Sequence, residues 1–318
     1  MSDGGSWAIE THQLTKQYAG DVLAVDGLDL RISEHTIYAL LGPNGAGKTT
    51  AISILTTLIP PTSGIARVAG YDVQSQGRDV RASIGVTFQD VVLDRDLTGR
   101  QVLDLHGRLY HMDSTRRESR IRTLIDLVEL QESIDRLVKT YSGGMKRRLE
   151  LARGLMTQPK ILFLDEPTLG LDPQNRAKLW EYIGQLKEKS RLTLMLTTHY
   201  MEEAQILADR VGIIDRGRLV VEGAPAELIA EMGADVVRLT GHGQQAKFLE
   251  RVHVLDYVQG VHVSGDLLQI GVDNGNHRLP EVVSVALANG YVIEDIAVAK
   301  PSLGDVFLKY TGRQLRDK

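Results

Sequence analysis

Residues Gly42-Pro43-Asn44-Gly45-Ala46-Gly47-Lys48-Thr49-Thr50 place a glycine, four residues, and then Gly-Lys-Thr in a row. That spacing suits a polyphosphate: small residues let backbone N–H groups curl round the anion, and a helix starting near Lys48 adds about half a positive charge at its first turn. Lys48 would reach the terminal phosphates. Thr49 would put its hydroxyl on Mg²⁺, a cation that prefers oxygen ligands and keeps several waters. A glycine-rich turn capping a core helix is the plainer reading of such a stretch, and the flanks decide between the two. Ile37-Tyr38-Ala39-Leu40-Leu41 is an apolar run of strand length, and Ala51, Ile54, Leu55 and Leu58 recur at helical spacing. Strand, glycine loop and helix follow in the order that phosphate binding needs.

A second chemical group stands at the end of another apolar run. Ile161-Leu162-Phe163-Leu164 reads as a central parallel strand covered on both faces, and it delivers Asp165-Glu166 to its carboxyl end. Adjacent carboxylates leaving a buried strand are hard to explain by packing, because unpaired buried charge is costly, and a metal or a polarised water would relieve that cost. The strand from Leu192 to Thr198 ends the same way, in His199. A lone histidine is usually structural, but one set beside phosphates can act on them. Tyr141-Ser142-Gly143-Gly144-Met145 precedes a helical pattern of Leu149, Ala152, Leu155 and Met156, so Ser142 reads as an N-cap and the glycines leave a second anion-receptive helix end. Lys146-Arg147-Arg148 reads as a solvated helix face.

The remaining elements position these groups. Leu28, Leu30 and Ile32 alternate with Asp29 and Arg31, which predicts an antiparallel layer before the loop. Tyr18 lies upstream in a polar setting, an ordinary tyrosine unless it stacks on a base. Pro60-Pro61 is expected to stop the loop helix. Gly85 to Gln89 reads as a strand ending in a polar residue, and Leu97 to Glu132 as helical, with Thr115 and Glu118 spaced as a capping box. Val211 to Asp215 and Leu219 to Val221 flank Arg216-Gly217 as a hairpin. Beyond Gly223 the alternation of strand and helix with chemistry at strand ends stops. From about Val236 the order is strand, helix to about Leu255, strands near Val261 and over Leu268 to Val272, helix Pro280 to Ala288, and strand Val292 to Val298. This predicts a small α+β domain of split βαβ type without a catalytic constellation.

Composition narrows the class. With 318 residues, 42% hydrophobic and 25% charged, the chain has the balance of a two-domain globular protein. A formal charge of −4 gives no bulk attraction to nucleic acid or to an anionic membrane. The chain has no cysteine, which excludes disulfides and cysteine-ligated zinc. Met1 to Ser6 lack the basic run and apolar core of a secretory signal, and no apolar run approaches the roughly 20 residues that span a bilayer. Work at a membrane would need another chain to hold this one there.

Taken in order, Gly42 to Thr50, Gln89, Ser142-Gly143-Gly144, Asp165-Glu166, Asp172 and His199 resemble the ATP-binding subunit of an ABC transporter over about residues 7–224. The variants Tyr-Ser-Gly-Gly-Met-Lys-Arg-Arg and Glu-Pro-Thr-Leu-Gly-Leu-Asp-Pro, with the tail Pro301 to Phe307, further resemble drug-export subunits of the daunorubicin-resistance type. Tyr141 and Met145 stand where the family more often has leucine and glutamine, and Leu169-Gly170 where it has serine-alanine. These changes leave the backbone donors in place.

The resemblance implies an α/β fold: a P-loop ATPase domain with a parallel-rich core sheet, an antiparallel N-terminal layer and a helical subdomain at about 90–160. A flexible start at 1–6, a linker at 225–235 and an α+β domain at 236–318 complete it. It implies ATP and Mg²⁺ as ligands, and a head-to-tail dimer sandwiching two ATP molecules, each between the loop of one copy and Ser142, Gly143 and Gly144 of the other. Tyr18 would stack on adenine, the backbone from Gly42 through Thr50 would hold the phosphates, and Thr49, Gln89 and Asp165 would serve the metal. Glu166 would polarise the attacking water, His199 would grip the terminal phosphate, and Asp172 would couple the two sites. The implied partner is an integral-membrane permease that holds the subunit at the cytoplasmic face of the cell membrane and exports a hydrophobic drug, lipid or polysaccharide. A soluble ATPase that remodels RNA, ribosomes or DNA is the alternative, and it usually carries two ATPase modules, a coiled coil or zinc sites, none of which is visible here. A GTPase is disfavoured because no Asn-Lys-x-Asp follows the loop.

Overall fold

The computed structural model describes residues 7–189 and 191–312, so the flexible start expected at 1–6 lies outside the described residues. The chain divides into one unit ending at Leu219 and a second beginning at Val220.

In the first unit, β1 (Trp7–Tyr18) and β2 (Val22–Ser33) pair antiparallel, with Val25, Leu28, Leu30 and Ile32 buried on one face of β2. The short β3 (Ile37–Leu41) is buried throughout and runs through the glycine loop into α1 (Lys48–Leu55). The strands β4 (Ser63–Val68) and β5 (Tyr71–Asp72) complete a four-stranded sheet of order β2-β1-β4-β5. After α2 (Gly77–Ser83) and β6 (Ile84–Thr87) come the helices α3 (Gly99–Leu109), α4 (Ser114–Leu127) and α5 (Gly143–Gly154). Then follow β7 (Ile161–Asp165), α6 (Pro173–Lys189), β8 (Thr193–Thr198), α7 (Met201–Leu207), β9 (Arg210–Asp215) and β10 (Arg218–Gly223), within which the first unit gives way to the second.

The second sheet has the order β10-β9-β3-β8-β7-β6, with β3, β6, β7, β8 and β9 mutually parallel. Its central strands are continuous apolar runs because both faces are covered. One core cluster joins Leu28 and Leu30 of β2, Ile52 and Leu55 of α1, Phe163 of β7 and Met195 of β8, so the loop helix is held by both sheets. The strands β9 and β10 meet through Arg216 and Gly217 at φ 48° and 80°, the left-handed pair that a two-residue hairpin demands.

Several local expectations change. The helix α1 ends at Leu55 with Thr56 as its cap, and the Thr56 hydroxyl donates to the Ile52 carbonyl at 2.8 Å, so Pro60-Pro61 follow the end without making it. The capping box lies at Thr98 and Gln101 of α3, whereas α4 is capped by Asp113, which accepts from the Arg116 amide at 2.9 Å. A full negative charge at a helix start is the stronger cap and displaces the Thr115–Glu118 pair. Residues 225–230, expected as linker, form α8 (Pro225–Ala230), with proline at its first turn. Arg147, expected on a solvated face, is buried.

The second unit runs β11 (Asp235–Gly243), α9 (Gln245–His253), β12 (Val258–Ser264), β13 (Leu267–Val272), α10 (Gly275–Ala288), β14 (Tyr291–Ala299) and α11 (Leu303–Thr311). Its sheet order β12-β13-β11-β14, antiparallel at every pairing, is the split βαβ arrangement. The helix α10 starts before Pro280, at an Asn274 cap that accepts from His277 at 3.1 Å. The tail Pro301 to Phe307 enters α11. Asp305, almost wholly buried, accepts from the Ser302 amide and hydroxyl, from Gln269 and from Arg238, each at 2.8 Å.

Candidate active site

The glycine loop is shaped by close approach as much as by dihedral freedom. Gly45 and Gly47 stand at φ 80° and 106°. A Cβ on Gly47 would run into the Ala24 carbonyl oxygen, and one on Gly42 into the Ile214 carbonyl oxygen. No side chain fits at either place, so the backbone itself is the lining. Lys48 opens α1 but folds back over the loop. Its Nζ donates to the Gly42 and Pro43 carbonyls at 2.8 and 3.1 Å and lies 3.2 Å from Glu166 Oε1. Burial pulls its pKa below the ordinary lysine value, against the opposing pull of Glu166 and Asp165.

Register places the carboxylates beside that amine: β3 pairs with β8 and β8 with β7, so their carboxyl ends lie side by side. Asp165 Oδ1 accepts from the Thr197 hydroxyl at 2.5 Å and the Thr49 hydroxyl at 3.3 Å. Burial nonetheless raises the Asp165 pKa above the usual carboxylate value. Glu166 sits at φ 47°, an uncommon conformation for a residue with a Cβ, and its amide donates to the Thr197 carbonyl at 3.2 Å. The turn sends Oε1 toward Lys48 and Oε2 to within 3.2 Å of His199 Nδ1. Burial would raise the Glu166 pKa, but His199 and Lys48 outweigh it and leave the carboxyl below its ordinary value. It is therefore ionised at neutral pH and able to accept a proton.

An open cleft of about 430 Å³ is lined by Tyr18, Val22, Leu23, Ala24, Asn44, Gly45, Gly47, Lys48, Thr49, Thr50, Gln89 and Glu166. Gly42, Pro43 and Ala46 do not line it: Gly42 and Pro43 accept from Lys48, and Ala46 accepts from the Gly217 amide at 2.9 Å. Tyr18 is 44% exposed, and Lys16 Nζ lies 5.4 Å from the centroid of its ring. Thr49, Asp165 and Gln89 offer a hydroxyl, a carboxylate and an amide oxygen, a hard-donor set that suits Mg²⁺ when phosphate and water complete the shell.

Ser142, Gly143, Gly144 and Asp172 do not line this cleft. They form a second group: Ser142 Oγ accepts from Met145 at 3.3 Å, and Asp172 Oδ1 accepts from Asn175 at 3.0 Å. A Cβ on Gly144 would come within 2.6 Å of Asn175 Oδ1. Hydrogen bonds from Asn175 hold the Asp172 carboxyl below its ordinary pKa. Thr197 and the cleft-lining Val22, Leu23 and Ala24 escaped the sequence reading. Thr197 looks like any β-branched strand residue, and Val22 with Leu23 like any hairpin edge.

A family model described as "ABC transporter" matches residues 25–169. The chain is 42% identical over 313 residues, 98% of each chain, to the daunorubicin resistance ATP-binding protein DrrA3 of Streptomyces coeruleorubidus. It is 40% identical to the Nod factor export ATP-binding protein I of Sinorhizobium fredii, over 98% of this chain and 88% of that one. Among solved structures it resembles the dimeric ATP-binding cassette MJ0796 in a post-hydrolysis state with ADP and Pi, at TM-score 0.62 and 25% identity, over 68% of this chain and 98% of that one. Phosphate loop, paired acids and histidine are thus set in the fold and sequence of one family: this chain belongs to the ABC transporter ATP-binding proteins and hydrolyses ATP.

Proposed function

We propose that the protein drives export of a hydrophobic compound, a drug, lipid or polysaccharide, through a separate integral-membrane permease. The names of its relatives, daunorubicin resistance and Nod factor export, support that cargo class. Among the described residues no helix is long and apolar enough to cross a membrane, so the passage itself falls to another chain. Val91 and Val92, just after Gln89, and Leu105 and Leu109 on one face of α3 are exposed apolar groups that suit such a partner at the cytoplasmic membrane surface.

The observation that carries the mechanism is Glu166, held between Lys48 and His199 at the wall of the cleft, with Ser142 and Gly144 elsewhere. A site with acid, imidazole and ammonium but no second set of donors is completed by a second copy, head to tail, whose Ser142-Gly143-Gly144 helix start faces the loop of the first. In that pair Asp172 lies at the seam. Mg²⁺, when bound, neutralises phosphate charge, and Thr49, Asp165 and Gln89 are its holders. Lys48 and the backbone from Gly42 to Thr50 orient the triphosphate, and Tyr18 stacks on the base. Glu166 accepts the proton of the attacking water, and His199 holds the terminal phosphate. Positioning and charge do most of this work, as phosphoryl transfer requires.

The test is capture of a tagged chain from detergent-solubilised membranes of its own cells. Recovery of a polytopic membrane protein, lost when Val92 and Leu109 are both changed to Asp, is the expected result. Recovery of ribosomes or nucleic acid in its place would overturn the reading.

A further inference from the structure

Gln89 leaves β6 on a stretch with no strand or helix of its own from 88 to 94, so its backbone must be held by something else. The holder is α5. Arg147 donates to the Phe88 carbonyl at 2.7 Å and, through its other terminal nitrogen, to the Gln89 carbonyl. Glu150 closes the arrangement: it takes Arg147 at 3.0 Å on one oxygen and the Val92 amide at 3.1 Å on the other. Arg153 donates to the Val92 carbonyl at 2.6 Å and lies 3.7 Å from Glu150. The Arg147 and Glu150 side chains are only 6% and 1% exposed. A buried pair of charges is an indifferent source of stability compared with apolar side chains of the same size. A planar guanidinium that spans two successive carbonyls, however, sets a backbone position as no lysine or apolar residue does.

We infer that Arg147, with Glu150 as its counter-charge, is a positioning residue for Gln89: it fixes the backbone of that residue so that the amide faces the nucleotide cleft. The inference rests on the role given to Gln89 above. Arg147 touches no nucleotide, and its whole effect on turnover passes through the Gln89 side chain.

The experiment is a coupling cycle on ATP hydrolysis by the full-length chain. Replacing both charges, Arg147→Met with Glu150→Met, removes the hold on Phe88 and Gln89 without stranding a buried charge. The expected result is a fall in kcat of about 10- to 10²-fold, the scale of a misplaced group, with KM for ATP unchanged. Gln89→Ala should show the same split, and the three changes together should be no slower than Gln89→Ala alone. Arg147→Lys, which keeps a charge opposite Glu150 but reaches only one carbonyl, provides the same comparison if the double Met variant melts early. Losses that multiply in the Gln89→Ala background would overturn the inference and leave the cleft assignment standing. A Gln89→Ala variant with full turnover would overturn both.

Discussion

The ammonium of Lys48 stands 3.2 Å from Oε1 of Glu166, with both side chains less than a tenth exposed. The residue proposed to bind phosphate and the residue proposed to accept the proton are thus each other's counter-charge, and removing either changes the other. Their roles still separate by experiment.

Glu166→Gln should bind ATP and hydrolyse it about 10²- to 10⁴-fold more slowly, the usual worth of a general base. Single-turnover hydrolysis beside equilibrium binding of a fluorescent ATP analogue measures both. Wild-type turnover would remove Glu166 from the chemistry.

Lys48→Ala should instead weaken nucleotide binding, because the amine held over the loop by the Gly42 and Pro43 carbonyls belongs to a residue that lines the cleft. Filter binding measures this directly. Undiminished affinity would contradict the loop assignment.

Gly47→Ala and Gly45→Ala should differ. Both positions have positive φ, but only Gly47 faces a carbonyl oxygen where the methyl would go, and nothing lies within 4 Å of a Cβ on Gly45. We expect a cost of about 1 kcal/mol at Gly45 and about 2–3 kcal/mol at Gly47, with ATP binding abolished only at Gly47. Urea denaturation compares them, and equal costs would mean that the Ala24 contact does not shape the loop.

Acid should expose the Glu166 partners. A carboxyl whose folded pKa lies below its unfolded value stabilises the fold above the unfolded value, near 4.5, and loses that contribution as pH falls through the folded one. Asp165, raised by burial, acts with the opposite sign and gains on protonation. The wild-type melting temperature should therefore drop more steeply below about pH 4.5 than that of Glu166→Gln, which has no such proton to take up. Parallel curves in thermal melts from pH 7 to pH 3 would count against the pairing with Lys48 and His199.

In the second unit, Asp305→Ala removes the acceptor of Arg238, Gln269 and Ser302 together. A loss of about 2–4 kcal/mol is expected, since an arginine loses its partner and α11 its cap. Hydrogen exchange over β11 and α11 should report it, and protection left intact there would show that α11 is held by its apolar face alone.

Much of the site was legible because its chemistry is local. The glycines of 42–47 with Lys48 and Thr49 are contiguous, and Asp165-Glu166 and His199 each end an apolar run, so period and punctuation locate them. Thr197 was not legible, because a threonine in a strand reads as a β-former until β7 is laid beside it. Arg147 was misread for a related reason: in Lys146-Arg147-Arg148 the charges look alike, and only the packing of α5 against the stretch after β6 buries the middle one. The capping of α4 by Asp113 in place of Thr115 and the start of α10 at Gly275 in place of Pro280 are short shifts set by which side chain finds a free amide.

From sequence alone came the strand, glycine loop and helix, the acids at a strand end and the split βαβ pattern of the second unit, since each depends on the spacing of near neighbours along the chain. Tertiary structure decided which distant groups meet: Lys48 with Glu166, Arg147 with the Gln89 backbone, and Ser142 away from its own chain's cleft. Such pairings follow from strand order and helix packing, which bring together residues between which the sequence shows no period at all.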